Sequence, residues 1–292
     1  MTNSYKISFD QVRLEPGFSN ALSALERGFS HFDIDYYLIG AVSRNVWLSG
    51  VNGITPRRTT GDVDFAVFIN DKGVYEQLKE YLITKENFHP YKENAFVLIW
   101  EDGTEIDLMP FGAIEDENRK VTVQGTGFTS ANVDGFKEVY DHHLPEVELE
   151  GSHRFKCCTL PGIVLLKLIA WDDRPEARQD DIKDIAEILD HFFEMNSEMI
   201  WADHADLFEA SSSFDDGRSG LLLIAAYVLG IELKQIAQRS PQLQERLTDI
   251  FNKYAVDPST SKVAAIIAEY FDKTASEALL LLKEMENGFL RA

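Results

Sequence analysis

Asp62 and Asp64 stand one residue apart in the run Gly61-Asp-Val-Asp-Phe-Ala-Val-Phe, where every other side chain is apolar. Successive side chains of a strand point to opposite faces, so the two carboxylates emerge together while Val63 and Phe65 turn the other way. Two adjacent carboxylates repel each other, and burying them uncompensated is costly. A divalent cation between them removes both difficulties. An all-oxygen ligand set suits magnesium or manganese, with phosphate oxygens completing the shell. Residues 95–111, AFVLIWEDGTEIDLMPF, supply a third acid. They read as a hairpin in which an apolar strand, a Glu-Asp-Gly-Thr turn and a second strand follow one another, with Asp107 facing away from Ile106 and Leu108. Asp62, Asp64 and Asp107 are therefore expected on adjoining strands of one sheet, as metal ligands and catalytic carboxylates. Three carboxylates around one or two metals orient a nucleoside triphosphate and stabilise the attacking and leaving oxygens in line. On spacing alone an Asp-x-Asp is also what a solvated strand face looks like.

The elements that must position these acids lie just upstream. Tyr36–Ile39 reads as a strand ending at Gly40, where a glycine lets backbone approach a phosphate and the following helix offers its first amides to the anion. Gly40, Ala41, Ser43 through its hydroxyl and Arg44 through its charge form the expected nucleotide-binding turn. Arg44 reads equally as a surface or ion-paired residue. The loop of residues 51–61 carries Arg57, Arg58, Thr59 and Thr60. Its two arginines either balance the carboxylates and hold a triphosphate, or are incidental loop charge. Thr60 is counted with the nucleotide-binding residues.

Gly40-Ala-Val-Ser-Arg-Asn45, Asp62-Val-Asp64 and Asp107 together resemble the nucleotidyltransferase superfamily, the polymerase-beta-like fold, whose signature is a Gly motif, an Asp-x-Asp and a later strand carboxylate. The Gly40 turn is similar to the Gly-Gly-Ala-Val-Arg-Asp opening of tRNA nucleotidyltransferases, departing from it at Ala41, Ser43 and Asn45 and by a longer gap to Asp62. Over residues 35–190 the chain looks most like the abortive-infection toxin (AbiEii-type) nucleotidyltransferases, which add a C-terminal helical region to this core. The resemblance implies a metal-dependent enzyme that moves a nucleoside monophosphate from a triphosphate to a hydroxyl acceptor and releases pyrophosphate. In the toxin type the acceptor is possibly tRNA and an antitoxin protein is a possible partner. It also implies that Lys167, the one charge in the apolar run Pro161–Trp171, faces the nucleotide; by residue type alone Lys167 either snorkels to solvent or reaches for a phosphate. Asp172–Ile185 resembles the Arg…Asp-x-x-Asp-Ile pattern of that family, with Arg174 a candidate ion-pair partner of Asp181 or Asp184.

Composition narrows the acceptor. The net charge of −21 is shared by both halves, with 13 basic and 25 acidic residues in 1–150 (−12) and 15 and 24 in 151–292 (−9). A nucleic-acid binder normally presents a basic field that releases counterions. The charge thus favours a small-molecule (antibiotic-type) acceptor, or a partner that supplies basic surface. A non-catalytic nucleotide-binding regulatory protein is the third reading, kept open by Ala41. A hydrophobic content of 45% implies a real core. No run reads as the ~18 apolar residues that span a bilayer, so no membrane is expected. The opening MTNSYKISFDQ lacks a secretory pattern, and Cys157 and Cys158 are adjacent, so a cytoplasmic protein with reduced thiols is expected.

The expected fold is α+β with an α/β-like core: a small mixed sheet flanked by helices (1–150), then a helical domain (151–292). Helices are expected from Phe18, with Ser19 or Asn20 as cap after Pro16 and Gly17, and over 72–88 with Val74, Leu78, Tyr81 and Leu82 buried. Further helices are expected from Pro161 and over 198–208, 219–235, 241–254 and 261–289, with a turn at Asp215-Asp-Gly. His142 and His143 diverge if adjacent on a strand and read as structural.

Overall fold

The computed structural model describes residues 4–14, 17–58, 61–209 and 217–291. The chain forms two compact units, Met1–Thr159 and Leu160–Ala292. The first runs β1 (Ser4–Ile7), α1 (Phe9–Val12), α2 (Phe18–His31), β2 (Tyr36–Ile39), α3 (Gly40–Asn45) continuing as a π-helical segment Val46–Val51, β3 (Asp62–Ile69), α4 (Lys72–Lys85), β4 (His89–Pro90), β5 (Val97–Ile99), β6 (Glu105–Gly112), β7 (Lys120–Thr122), β8 (Ser130–Asn132), α5 (Phe136–Tyr140), β9 (Glu146–Leu149) and β10 (His153–Cys157).

Eight of these strands make one mixed sheet in the order β1-β9-β10-β2-β3-β6-β5-β4, and β7 and β8 pair separately. β3 lies at its centre, antiparallel to β2 and parallel to β6. Its first half alternates, Val63 and Phe65 buried against Asp62 exposed and Asp64 half-buried; Phe65, Ala66 and Val67 are then buried on both faces, as a central strand between layers must be. The β5–β6 hairpin forms as expected, closed by bonds from Trp100 N to Thr104 O and from Gly103 N to Trp100 O, both 2.8 Å.

Several expectations are corrected. α2 buries Phe18, Ala21, Leu22, Leu25 and Phe29, but its N-cap is Gly17; Ser19 lies inside the helix and its hydroxyl goes to His153. Pro16 lies outside the described residues. The buried face of α4 is Tyr75, Leu78, Lys79 and Leu82, with Val74 and Tyr81 only half-buried. The face rotates because Tyr75 Oη donates to Leu108 O (2.8 Å) and Lys79 Nζ to Ala95 O and Gln124 O (2.9 Å each). The sheet also extends past residue 150: β10 sits between β9 and β2, so the first unit ends at Thr159.

The second unit comprises α6 (Leu160–Asp173), α7 (Gln179–Met195), α8 (Ser197–Asp203), α9 (Asp206–Glu209), α10 (Arg218–Ala237), α11 (Pro241–Tyr254), α12 (Lys262–Phe271) and α13 (Ala275–Leu290). Two expected helices are each two. The 198–208 helix breaks at His204, and the 261–289 helix breaks where Asp272 turns left-handed (φ 53°) and Thr274 with Glu277 forms a capping box for α13. Asp215 and Asp216 of the expected turn lie outside the described residues.

α10 corrects the reading of apolar runs. Among the described residues it is the one helix long and apolar enough to cross a bilayer, with a mean hydropathy of 1.6 over its window. Yet 61% of that window is buried by the protein itself, which marks α10 as a core helix. α10 and α13 approach backbone to backbone. A Cβ on Gly230 would stand 2.0 Å from Met285 O, and one on Gly288 1.9 Å from Tyr227 O. Neither helix can yield locally, so Gly288→Ala is expected to destabilise the unit by about 1–3 kcal/mol or more, the range of overpacked cores. Urea denaturation checks this, and an unchanged midpoint would refute the contact.

Candidate active site

The end of β2, the start of β3 and the start of β6 come together at one point. Ile39 pairs with Asp64, Asp64 with Asp107, and Asp62 with Glu105. Paired residues and residues two apart share a face. Asp62, Asp64, Asp107 and Glu105 therefore lie on one face of two adjacent strands. Glu105 escaped the sequence reading although its signal was present, since Glu105-Ile-Asp107 repeats the acid-x-acid spacing of Asp62-Val-Asp64.

Gly40 stands against this row. Its φ is +69°, and a Cβ built on it would lie 2.0 Å from Asp64 Oδ2 and 2.7 Å from Asp64 Cγ. Any larger residue would displace the carboxylate as well as strain the turn. Burial, and next the Asp107 charge, push the Tyr75 phenol well above its ordinary value of 10.0. Tyr75 thus stays a neutral donor to the Leu108 carbonyl beside Asp107.

The helix after Gly40 is buried from Ala41 to Asn45. Ser43 Oγ donates to Cys158 O at 2.9 Å, and Trp47 Nε1 reaches the same oxygen at 2.7 Å. The Ser43 hydroxyl therefore anchors α3 to the end of β10, and the phosphate contact expected of it is not what the arrangement offers. Burial pushes the neighbouring Cys157 thiol up to about 12, only partly offset by Ser43, and burial likewise pushes the Cys158 thiol well above its ordinary value; both are free, inert thiols. Arg44 is fully buried, which excludes the surface role. Its Nη2 donates to Asn45 Oδ1 at 3.0 Å and to Arg58 O at 3.2 Å. A guanidinium in the core thus holds the basic loop at Arg58, just ahead of the acidic strand, while Arg57 is exposed. Thr60, like Thr59, lies outside the described residues.

Lys167 belongs to the helical unit and neither snorkels nor reaches outward. Its Nζ lies 2.7 Å from Asp181 Oδ1 and 2.8 Å from Asp184 Oδ2, with all three side chains buried. α6 and α7 are tied by this triad, in which Lys167 is a partner of both acids. His143 is exposed in a turn with φ 46°, and His142 is half-buried beside it.

The donors fit a hard cation in kind, since the facing side chains are carboxylates. Among the described residues no three His, Cys, Asp or Glu side chains converge closely enough to hold a metal by themselves. Magnesium does not require such a cage: it keeps several waters and binds through one or two carboxylates plus substrate phosphates. Asp62 and Asp64, beside a glycine turn, match that mode.

No known protein family and no curated protein sequence matches the chain. Among solved structures, it is similar to the antibiotic-resistance factor ANT(2'')-Ia, at 12% identity and a TM-score of 0.35, covering 67% of this chain and 96% of that one. It is also similar to the CCA-adding enzyme of Thermotoga maritima complexed with tRNA, at 11% identity and a TM-score of 0.25, covering 96% of this chain and 80% of that one. At such values neither likeness assigns a family or a substrate.

Proposed function

We propose that the protein is a nucleotidyltransferase, moving a nucleoside monophosphate from a nucleoside triphosphate to a hydroxyl acceptor with release of pyrophosphate. The observation that carries this reading is the register of Asp62, Asp64 and Asp107 on one sheet face, with Asp64 seated against a left-handed glycine at the start of a helix. Asp62 and Asp64 would hold magnesium or manganese, with Asp107 completing the site. When bound, the cation supplies charge stabilisation to the phosphate oxygens. Gly40 and Ala41 would offer backbone amides to a phosphate at the turn, where Gly40 leaves room for the Asp64 carboxylate. Arg44 fixes the loop of Arg57 and Arg58, whose guanidinium groups suit phosphate oxygens, with Thr60 proposed alongside them. Asp107, half-buried, is the candidate to accept the proton of the acceptor hydroxyl.

Charge supports one class of acceptor. At −21 the protein favours a small-molecule hydroxyl over broad contact with nucleic acid. The toxin-type reading, with tRNA as acceptor and an antitoxin as partner, is tested by the same acceptor screen. A regulatory protein that binds nucleotide without turnover is the remaining reading.

Calorimetry of each nucleoside triphosphate with magnesium, on wild type and on Asp62→Asn/Asp64→Asn, tests the site. We expect metal-dependent binding of one triphosphate, abolished in the double variant. Turnover is expected to fall about a hundredfold or more, the scale of losing a group that stabilises transition-state charge. Binding of no triphosphate, or equal binding by the variant, would leave the acids as a solvated strand face.

A further inference from the structure

His153 opens β10 and is buried, yet both of its ring nitrogens are engaged by one face of α2. Nδ1 lies 3.0 Å from Glu26 Oε2, and Nε2 lies 2.9 Å from Ser19 Oγ. A carboxylate only accepts, so Glu26 fixes the imidazole proton on Nδ1. In the neutral ring Nε2 then carries the lone pair, and the Ser19 hydroxyl, 2.9 Å away, is placed to donate to it. In this tautomer the ring is set to take a proton from a hydroxyl. Nucleophile, base and orienting acid follow one another as in acyl-transfer triads of unrelated folds.

The surroundings suit the same chemistry. Ser19 is half-buried, within reach of solvent, and sits in the first turn of a fourteen-residue helix. The buried ring of Phe9 stands 6.3 Å from the His153 ring and 6.4 Å from that of Phe18, so aromatic side chains pack beside the imidazole. Such neighbours favour a small, uncharged acyl group.

We propose that Ser19 and His153, positioned by Glu26, form a second catalytic site that hydrolyses small uncharged carboxylic esters. Ser19 Oγ attacks the ester carbonyl carbon as its proton passes to His153 Nε2. The imidazolium returns that proton to the departing alkoxide oxygen, releasing the alcohol and leaving an acyl ester on Ser19. Water attacks this ester, giving its proton to Nε2 and then to Ser19 Oγ, and the carboxylic acid leaves. Ester and water are consumed, and alcohol and acid are formed. The site shares none of the residues proposed for nucleotidyl transfer.

The full chain is to be treated with a fluorophosphonate and the adduct located by peptide mass spectrometry, in parallel with hydrolysis of p-nitrophenyl acetate. We expect the adduct on Ser19, and a fall in kcat/KM of about a hundredfold or more for Ser19→Ala, the scale of a lost general-base step. Glu26→Gln, of the same shape, is expected to lower kcat with KM kept. Asp62→Asn/Asp64→Asn is expected to leave labelling and hydrolysis unchanged. Ser19→Ala removes one oxygen from a half-buried position, and circular dichroism checks that it folds. An unlabelled Ser19, or Ser19→Ala hydrolysing at the wild-type rate, would overturn the proposal and leave the three residues as a tie between α2 and β10.

Discussion

Lys167→Met is expected to destabilise the helical unit by about 3–5 kcal/mol, the range for removing one partner of a buried ion pair. Asp181 and Asp184 share the Lys167 ammonium, and each is buried. Without it, two buried carboxylates three residues apart on α7 lose the ammonium between them, while Asp181 still faces Arg178 Nη1 at 3.8 Å. Burial by itself would drag the Lys167 ammonium down; the Asp181 and then the Asp184 carboxylates outweigh it and hold it above the ordinary 10.5. A pKa raised on folding gives stability that is fully present below 10.5 and is lost as pH rises through the higher folded value. The wild type should therefore lose this increment only in strong alkali. Urea melts of wild type and Lys167→Met measure the effect, and adding Asp181→Asn and Asp184→Asn should restore part of it. A phosphate-binding Lys167 would give the opposite result, an unchanged melt with weakened triphosphate binding.

Gly40→Ala is expected to cripple the proposed nucleotidyl transfer while leaving the protein folded. Placing a Cβ in the left-handed region costs about 1–2 kcal/mol, within the stability of an ordinary domain. The larger effect is geometric. The new methyl would occupy the space of the Asp64 carboxylate, so that side chain must swing away from the row it shares with Asp62 and Asp107. A displacement of ~1 Å at a reacting centre costs on the order of a hundredfold in rate. Turnover and calorimetry with magnesium triphosphates, beside a melt, separate the two effects. Near-wild-type turnover in a folded Gly40→Ala protein would show that Asp64 is not held by this contact.

What could be read in advance was whatever rests on local periodicity. The two-residue period of Asp62-Val-Asp64 placed both acids on one face, and the Glu101–Thr104 turn placed Asp107 in the neighbouring strand. Phe18, Leu22, Leu25 and Phe29 gave α2 its buried face. What escaped depends on partners distant in the chain. His153–Cys157 alternates weakly, with Arg154 and Lys156 between its buried residues, and is a strand because β9 and β2 flank it. The face of α4 turned because the Lys79 ammonium found two carbonyls, the farther one 45 residues away. Ser43 looked like a phosphate ligand by its place in a first turn, but the carbonyl it binds lies 115 positions on. The α12–α13 break was readable in principle, since Thr274-x-x-Glu277 is a capping box in the sequence itself.

The strand order also sets a timetable for folding. The N-terminal strand β1 pairs only with β9, and β9 reaches the centre of the sheet only through β10, which lies against β2. During synthesis, β2, β3, β6, β5 and β4 can assemble as soon as Gly112 has emerged, while β1 has no sheet partner until residues 146–157 are made. For that interval one side of β2 is an open edge beside the acidic centre, and open edges are where chains pair wrongly. Such long-range closure also slows folding, because loop entropy is lost before the contacts form. Residues 153–157 thus complete the unit in time as well as in space: the sheet that carries the acids is sealed by the last strand to be synthesised.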